Sequence, residues 1–285
     1  MGHRPSRRDF LKTGATLGAA AAAARAAEGR DADQPMPAIE LGSLRVSRLI
    51  LGSNPFFGFA HQPGDLGKRM RDYYTEDRIM AVLDQAADHG ITAVWTPCYE
   101  RWIRLWKRYQ DRGGKLGVWI GQPEPSPEHM EAHIDACARN GGKAICIQGV
   151  RIDQQFRKGR YEVVRGWLER VKSHGLPAGM ATHRPQTHLT AEEKGLPTDF
   201  YHQCLYQPEN YAPRCRQQAL ATVAKLAKPV VAYKVLAAGR LDPAKALPHV
   251  FARLRRKDGI CVGVFPKDDP DQVAQDAGLV RQLTA

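Results

Sequence analysis

Residues 143–183 read KAICIQGVRIDQQFRKGRYEVVRGWLERVKSHGLPAGMATH. Two short runs, Lys143 to Gln148 and Pro177 to His183, flank an amphipathic stretch from Tyr161 to His174. That stretch reads as a helix, and Gly175 after His174 follows as an end signal. Strand, crossover helix and strand make a βαβ unit with parallel strands. Alternation within the strands assigns their faces. Ile145 and Ile147 are predicted to face the helix layer, leaving Ala144, Cys146 and Gln148 on the other side. In AGMATH the corresponding inner set is Gly179, Ala181 and His183. Both strands thus place small residues low and a polar residue at the C-terminal end.

The same rhythm extends in both directions. Strands are predicted over Leu49 to Asn54, Ile91 to Thr96, Leu116 to Gly121, Phe200 to Gln207, Val230 to Leu236 and Ile260 to Phe265, besides the two above. Helices are predicted over Thr75 to His89, Glu100 to Gln110, Pro127 to Asn140, Arg214 to Ala227, Pro243 to Arg256 and Pro270 to Leu283, with a short one at Ala191 to Lys194. Ser126-Pro127 and Asp242-Pro243 supply start signals. In VVAYKV, Ala232 and Lys234 are expected inward and Val231, Tyr233 and Val235 outward. Before the first strand, AIELGSLRVS reads as a hairpin turning at Gly42-Ser43. Eight strand–helix units in about 240 residues is the count of a single α/β (β/α)8 TIM barrel with an N-terminal β-hairpin. A doubly wound sheet would bring a Gly-rich phosphate loop, which the sequence lacks.

In such barrels chemistry sits at the C-terminal ends of the strands. The candidates there are Asn54, His61, Glu100, Gln148, His183, Gln207, Glu209 and Lys234, with Arg240 in the next loop. A connection of about 20 residues from Pro55 to Tyr74, containing His61, is long enough to be a lid or binding loop. His183 with Glu209 or Glu100 would form an acid–base pair suited to a polyol or sugar-like carbonyl compound. Lys234, desolvated in the barrel, would serve as a base or Schiff-base nucleophile; a structural ion pair is its plainer role. Asn54, His61, Glu100, Gln207 and Arg240 are expected to contact substrate. No metal-ligand spacing is present.

Four stretches, LGSLRVSRLILGSN, DHGITAVWTPCYE, PVVAYKVLAAGRLDP and VGVFPKDDPDQVAQDAGLVRQL, resemble the aldo-keto reductases across nearly the whole barrel. The resemblance implies a barrel closed at its bottom by the hairpin and an oxidoreductase-related enzyme on a small polar carbonyl or sugar-like substrate. It also implies an NADP cofactor, with Lys267 at a cofactor phosphate and Gln272 and Asp276 on the adenine side. The catalytic tetrad of that family is not retained: Trp95 stands at its Asp, Gly121 or Gln122 at its Lys and Gln148 at its His, leaving Tyr99 to stand in for its Tyr. GSNPFFGFAH, ATHRP, DFYHQCLYQ and AYKVLAAGR are similar to exported barrels related to the reductases but altered at the active site. Cofactor-free lyase, isomerase or hydrolase chemistry through His183, Glu209 and Lys234, or non-catalytic solute binding, are the alternatives.

The N-terminus, Ser6-Arg7-Arg8-Asp9-Phe10-Leu11-Lys12 followed by TGATLGAAAAAA, resembles a twin-arginine translocation signal. This implies handling by the twin-arginine machinery and a periplasmic or extracellular destination. An A-x-A pattern ending at Ala26 divides the chain into a signal (1–26), a linker (27–37) and the barrel (38–285). Losing the signal removes Arg4, Arg7, Arg8, Lys12 and Arg25 but only one acid, Asp9, and takes the formal charge from +12 to +8. The remaining basic residues are scattered among apolar helix positions, which argues against a nucleic-acid partner and for a small-molecule substrate. No apolar window reaches a membrane span. Hydrophobic residues at 43% and charged residues at 25% exclude a disordered or fibrous chain. The six cysteines form no CxxC pair and read as buried thiols.

Overall fold

In the computed structural model, residues 35–207 and 210–285 are described. Eight parallel strands close into a barrel: β3 (Leu49–Gly52), β4 (Ala93–Pro97), β5 (Val118–Gln122), β6 (Ala144–Ile147), β7 (Ala178–Thr182), β8 (Phe200–Cys204), β9 (Val230–Tyr233) and β10 (Gly259–Gly263). The last strand pairs in register with the first, Ile260 opposite Leu49 and Gly263 opposite Gly52. The preceding hairpin, β1 (Ala38–Leu41) and β2 (Leu44–Ser47), turns at Gly42, whose φ of 63° suits glycine. Its Ile39, Leu41 and Val46 join the same buried cluster as Ile50, Ala93 and Val231 of the barrel interior. The hairpin therefore stops the end of the barrel where β10 begins, and Gly259 is held without a side chain because a Cβ there would meet the Arg48 carbonyl and Ile39.

Around the barrel run α1 (Leu66–Tyr73), α2 (Glu76–Asp88), α3 (Glu100–Asp111), α4 (Met130–Arg139), α5 (Gly149–Arg157), α6 (Tyr161–Ser173), α7 (Pro185–Glu193), α8 (Pro213–Val223), α9 (Pro243–Phe251) and α10 (Gln272–Thr284). Asp242 caps α9 by accepting the Lys245 N–H, and α7, α8 and α9 each begin with proline. Ser126 makes no such side-chain bond, and the chain there passes through a 3-10 turn, Pro127–His129, before α4. Two helices go beyond the sequence reading. The Pro55–Tyr74 connection contains α1, and α5 is inserted between β6 and α6. The short predicted helix at Ala191 to Lys194 is the C-terminal part of the longer α7.

The strand faces follow the alternation in two cases and reverse it in a third. Ala144, Cys146 and Ala181 lie in the interior cluster, while Ile145 and Ile147 pack in the outer layer. In β9 the phase is the opposite of that expected: Val231 and Tyr233 point inward and Ala232 outward. Tyr233 fills the interior beside Trp95, with ring centroids 5.2 Å apart, and its hydroxyl donates to the Thr182 carbonyl at 3.3 Å. Periodicity treats every apolar side chain alike, so it sent the largest one to the helix layer. Lys234 still reaches the mouth, because its φ of 56° breaks the strand at that residue.

The reading of all six cysteines as free thiols is corrected. Cys98, just after β4, and Cys137 in α4 form a disulfide, over Gly121 of β5. A Cβ at Gly121 would lie 2.7 Å from the Cys137 sulfur. Cys146, Cys204, Cys215 and Cys261 are free and buried.

Candidate active site

The C-terminal ends of the strands open into a cavity of about 580 Å³. Trp95 and Tyr233 form part of its lining, with His202 edge-on to Trp95 at 4.2 Å in the interior. Asn54, His61, Gln148, His183 and Lys234 all line it, so five sequence candidates from different strands and loops meet in one place.

His183 follows β7 and is fixed by Asp153 of α5. Its Nδ1 lies 3.1 Å from Asp153 Oδ2, and its backbone N–H donates to the same oxygen at 3.0 Å. Thr182 Oγ1 donates to the other carboxylate oxygen. Asp153 is buried, and a carboxylate accepting at Nδ1 sets the tautomer that leaves Nε2 with its lone pair. Gly149 is in contact with the imidazole; a Cβ there would come within 3.2 Å of Cε1. The sequence reading missed Asp153 because it stands in an amphipathic run, five residues beyond Gln148, with no spacing that marks it.

Lys234 stands across the cavity wall at the end of β9. Burial, with Arg240 adding to it, lowers its ammonium pKa. Among the described residues no carboxylate lies within ion-pair distance of it, and its Nζ is 5.9 Å from the Tyr211 ring centre. The loop that follows holds Ala237, Ala238 and Gly239 at positive φ. His61 is another non-glycine residue at positive φ, 52°. Burial, followed by the charges of Lys234, His183 and Arg240, lowers its pKa to about 4, so the ring is neutral at pH 7. It accepts from Asn54 Nδ2 at 3.3 Å. The positive-φ residues thus gather on two loops that border one cavity.

Glu124, after β5, was also missed. Its carboxylate accepts from Gln148 Nε2 at 2.8 Å, Gln122 Nε2 at 3.0 Å and the Tyr99 hydroxyl. The sequence places it between two prolines, QPEP, where it reads as loop. Burial and the Glu124 contact raise the Tyr99 pKa. The reductase role that the resemblance implies is the reverse, a tyrosine acidified by a lysine; here the Tyr99 hydroxyl is part of the Glu124 network.

Other candidates fall elsewhere. Glu100 is exposed on α3 and pairs with Arg104 at 3.2 Å. Arg240 ties loops together, donating to the His61 carbonyl at 2.9 Å and the Ala237 carbonyl at 3.0 Å while lying over Tyr211. Gln207 lines a second hollow that shares Val150 and His183 with the first. Glu209 and the N-terminal signal lie outside the described residues.

The nicotinamide cofactor that the barrel resemblance implies does not fit the residues present. The cavity continues past Phe265 to Asp268, Asp269 and Gln272, presenting carboxylates where a dinucleotide would bring phosphates. Asp268 is paired with Arg69 at 2.5 Å. The Gln272 side chain accepts the Phe265 N–H at 2.8 Å, and Lys267 is exposed and off the cavity wall. Asp276 is buried rather than open to an adenine. Among the described residues no group of three or more His, Cys, Asp or Glu side chains is placed to hold a metal ion. No described helix is long and apolar enough to cross a membrane.

Fold and site together define a (β/α)8 barrel with the Asp153-paired His183 and the buried Lys234 lining the cavity at its mouth. Residues 4–24 match the sequence profile of the twin-arginine translocation pathway signal, so the chain is addressed for export across the cytoplasmic membrane. No curated protein matches the chain in sequence. Among solved structures, a Pseudomonas aeruginosa protein provisionally assigned to the aldo-keto reductases is 18% identical, with a TM-score of 0.59 over 89% of this chain and 98% of that one. The N-acetylneuraminic acid (sialic acid) synthetase of Leptospira borgpetersenii serovar Hardjo-bovis is 13% identical, with a TM-score of 0.53 over 88% and 91%. An archaeal Rubisco is 11% identical, with a TM-score of 0.52 over 88% of this chain and 60% of that one. At such identities the likeness is one of fold, a (β/α)8 TIM barrel.

Proposed function

We propose that this exported barrel is an enzyme that moves protons on a small polar carbonyl or sugar-like substrate without a nicotinamide. The observation that carries this reading is the Asp153–His183 pair on the cavity wall, with Lys234 lining the same cavity. Asp153 holds the imidazole so that Nε2 takes a proton from a carbon next to a carbonyl. The electron pair left behind passes to the carbonyl oxygen, where the Lys234 ammonium stabilises the charge. Return of the proton to the same or the neighbouring carbon gives an isomerase; loss of a leaving group from the next carbon gives a lyase. Asn54, His61 and Gln148 supply hydrogen bonds to substrate hydroxyls, and Glu124 orients Gln148. Substrate is drawn from the periplasm or the external medium, with the mature chain starting near Ala27 and the barrel spanning 38–285.

The test is incubation of the mature protein with aldoses, ketoses and sugar acids in D2O, followed by proton NMR. Deuterium enters the carbon beside the carbonyl with the wild type and not with His183→Gln. Absence of exchange and turnover across the series, or consumption of NADPH with a carbonyl substrate, overturns the proposal.

A further inference from the structure

His183 forms part of the wall of two hollows, and only one belongs to the cavity described above. The second, about 500 Å³, is lined by Arg157, Arg184, Gln186 and Gln207, with Val150 and Asp153 beside His183. Arg157 ends α5 and Arg184 immediately precedes α7. The chain therefore brings two guanidinium groups, from elements 27 residues apart in sequence, to one concave surface next to the proposed acid–base group.

Among the described residues the charge at this surface is unbalanced. Of the described lining residues Asp153 is the one carboxylate, and both its oxygens are already engaged by Thr182 and by the side chain and backbone of His183. Among the described residues neither Arg157 nor Arg184 has a carboxylate within salt-bridge distance. The amides of Gln186 and Gln207 add donors, and the positive end of α7 faces the same region. A guanidinium presents paired N–H groups that match an oxyanion in two-pronged fashion. Across His183, the main cavity offers polar groups for hydroxyls.

We infer that the substrate is anionic, and that its carboxylate, phosphate or sulfate group sits between Arg157 and Arg184 while its neutral portion enters the main cavity. This rests on the acid–base reading for the position of the reacting carbon, but the anion site itself is a matter of binding. The two arginines would anchor one end of the molecule and so place the atoms beyond it against His183 Nε2.

The experiment measures binding to the mature protein by titration calorimetry with glucose, glucuronate, glucose 6-phosphate and glucose 6-sulfate at low ionic strength. At least one anionic sugar binds tenfold or more tightly than glucose, and which one does so separates carboxylate from phosphate and sulfate. Arg157→Ala/Arg184→Ala abolishes that preference with no change in melting temperature, since both side chains are exposed; Arg157→Lys/Arg184→Lys restores part of it. Equal affinity for glucose and every anionic sugar, no binding by any anion, or an undiminished preference in the double alanine variant overturns the inference. His183→Gln separates the two claims. It keeps the anion preference, and full turnover in that variant would remove the acid–base reading while leaving the anion site standing.

Discussion

Replacing Cys98 and Cys137 together by alanine removes the covalent tie between the end of β4 and α4. The bond closes a loop with a sequence separation of 39 residues. A loop of that size, cross-linked in the unfolded chain, loses enough configurational freedom to stabilise the native state by about 4 kcal/mol. For a domain of about 250 residues, each kcal/mol moves the melting temperature by roughly 2–4 °C, so the crosslink raises it by about 8–16 °C. The twin-arginine route carries folded proteins, which means the barrel forms in a reducing compartment before the bond does. The reduced protein is therefore expected to be native in far-UV and near-UV circular dichroism and simply less stable. Melting curves of the oxidised wild type, the wild type in reductant and Cys98→Ala/Cys137→Ala, with thiols counted after denaturation, provide the measurement. The oxidised form should show four thiols, and the two uncrosslinked forms should melt close together and well below it. Six thiols in protein recovered after export, or oxidised and reduced forms melting within about 2 °C of each other, would refute the reasoning.

Further expectations concern single residues. Asp276 is buried with neither carboxylate oxygen hydrogen-bonded, and burial raises its pKa to about 7; the folded state holds its proton more tightly than the unfolded one, so stability falls as pH rises from about 4 to 7. Asp276→Asn should thus stabilise at pH 8 and change little at pH 4, and a gain independent of pH in chemical denaturation would contradict this. His188 and His202 have pKa values lowered to about 3 by complete burial, and with His61 they predict the opposite limb: stability is full above about 6.5 and is lost as the pH falls toward 3, because the unfolded chain then binds more protons. Gly179→Ala would press a methyl to within 2.4 Å of the Phe200 ring and should cost about 1–3 kcal/mol, read from urea midpoints. Arg7→Lys/Arg8→Lys should retain the full-length chain in the cytoplasm, as cell fractionation would show; periplasmic recovery at the wild-type level would count against the signal.

How far the sequence reaches is best seen at three places. In KAICIQ and AGMATH, residue size and alternation agree, and the faces of β6 and β7 are legible without coordinates. In VVAYKV they conflict, because Tyr233 is large enough to fill the barrel interior while Lys234 escapes the pattern through a left-handed backbone that no periodicity encodes. The site is legible where a polar residue ends a strand, as with Gln148 and His183. It is not legible where partners arrive from helices and loops: Asp153 and Glu124 are adjacent to those residues only in three dimensions. The Cys98–Cys137 bond escapes for the same reason, since a 39-residue separation carries no local signature.

The packed interior has a kinetic consequence. Trp95, Tyr233 and His202 fill the barrel beneath the cavity, and the hairpin stoppers its other end. The cavity is a cul-de-sac toward the hairpin end of the barrel. On the reading proposed above, whatever enters the cavity must leave at the same C-terminal end of the barrel, so product has to vacate before the next molecule is admitted. Product should therefore inhibit in direct competition with substrate, and a bulkier residue at Phe59 in the cavity lining should slow arrival and departure alike without touching the chemistry.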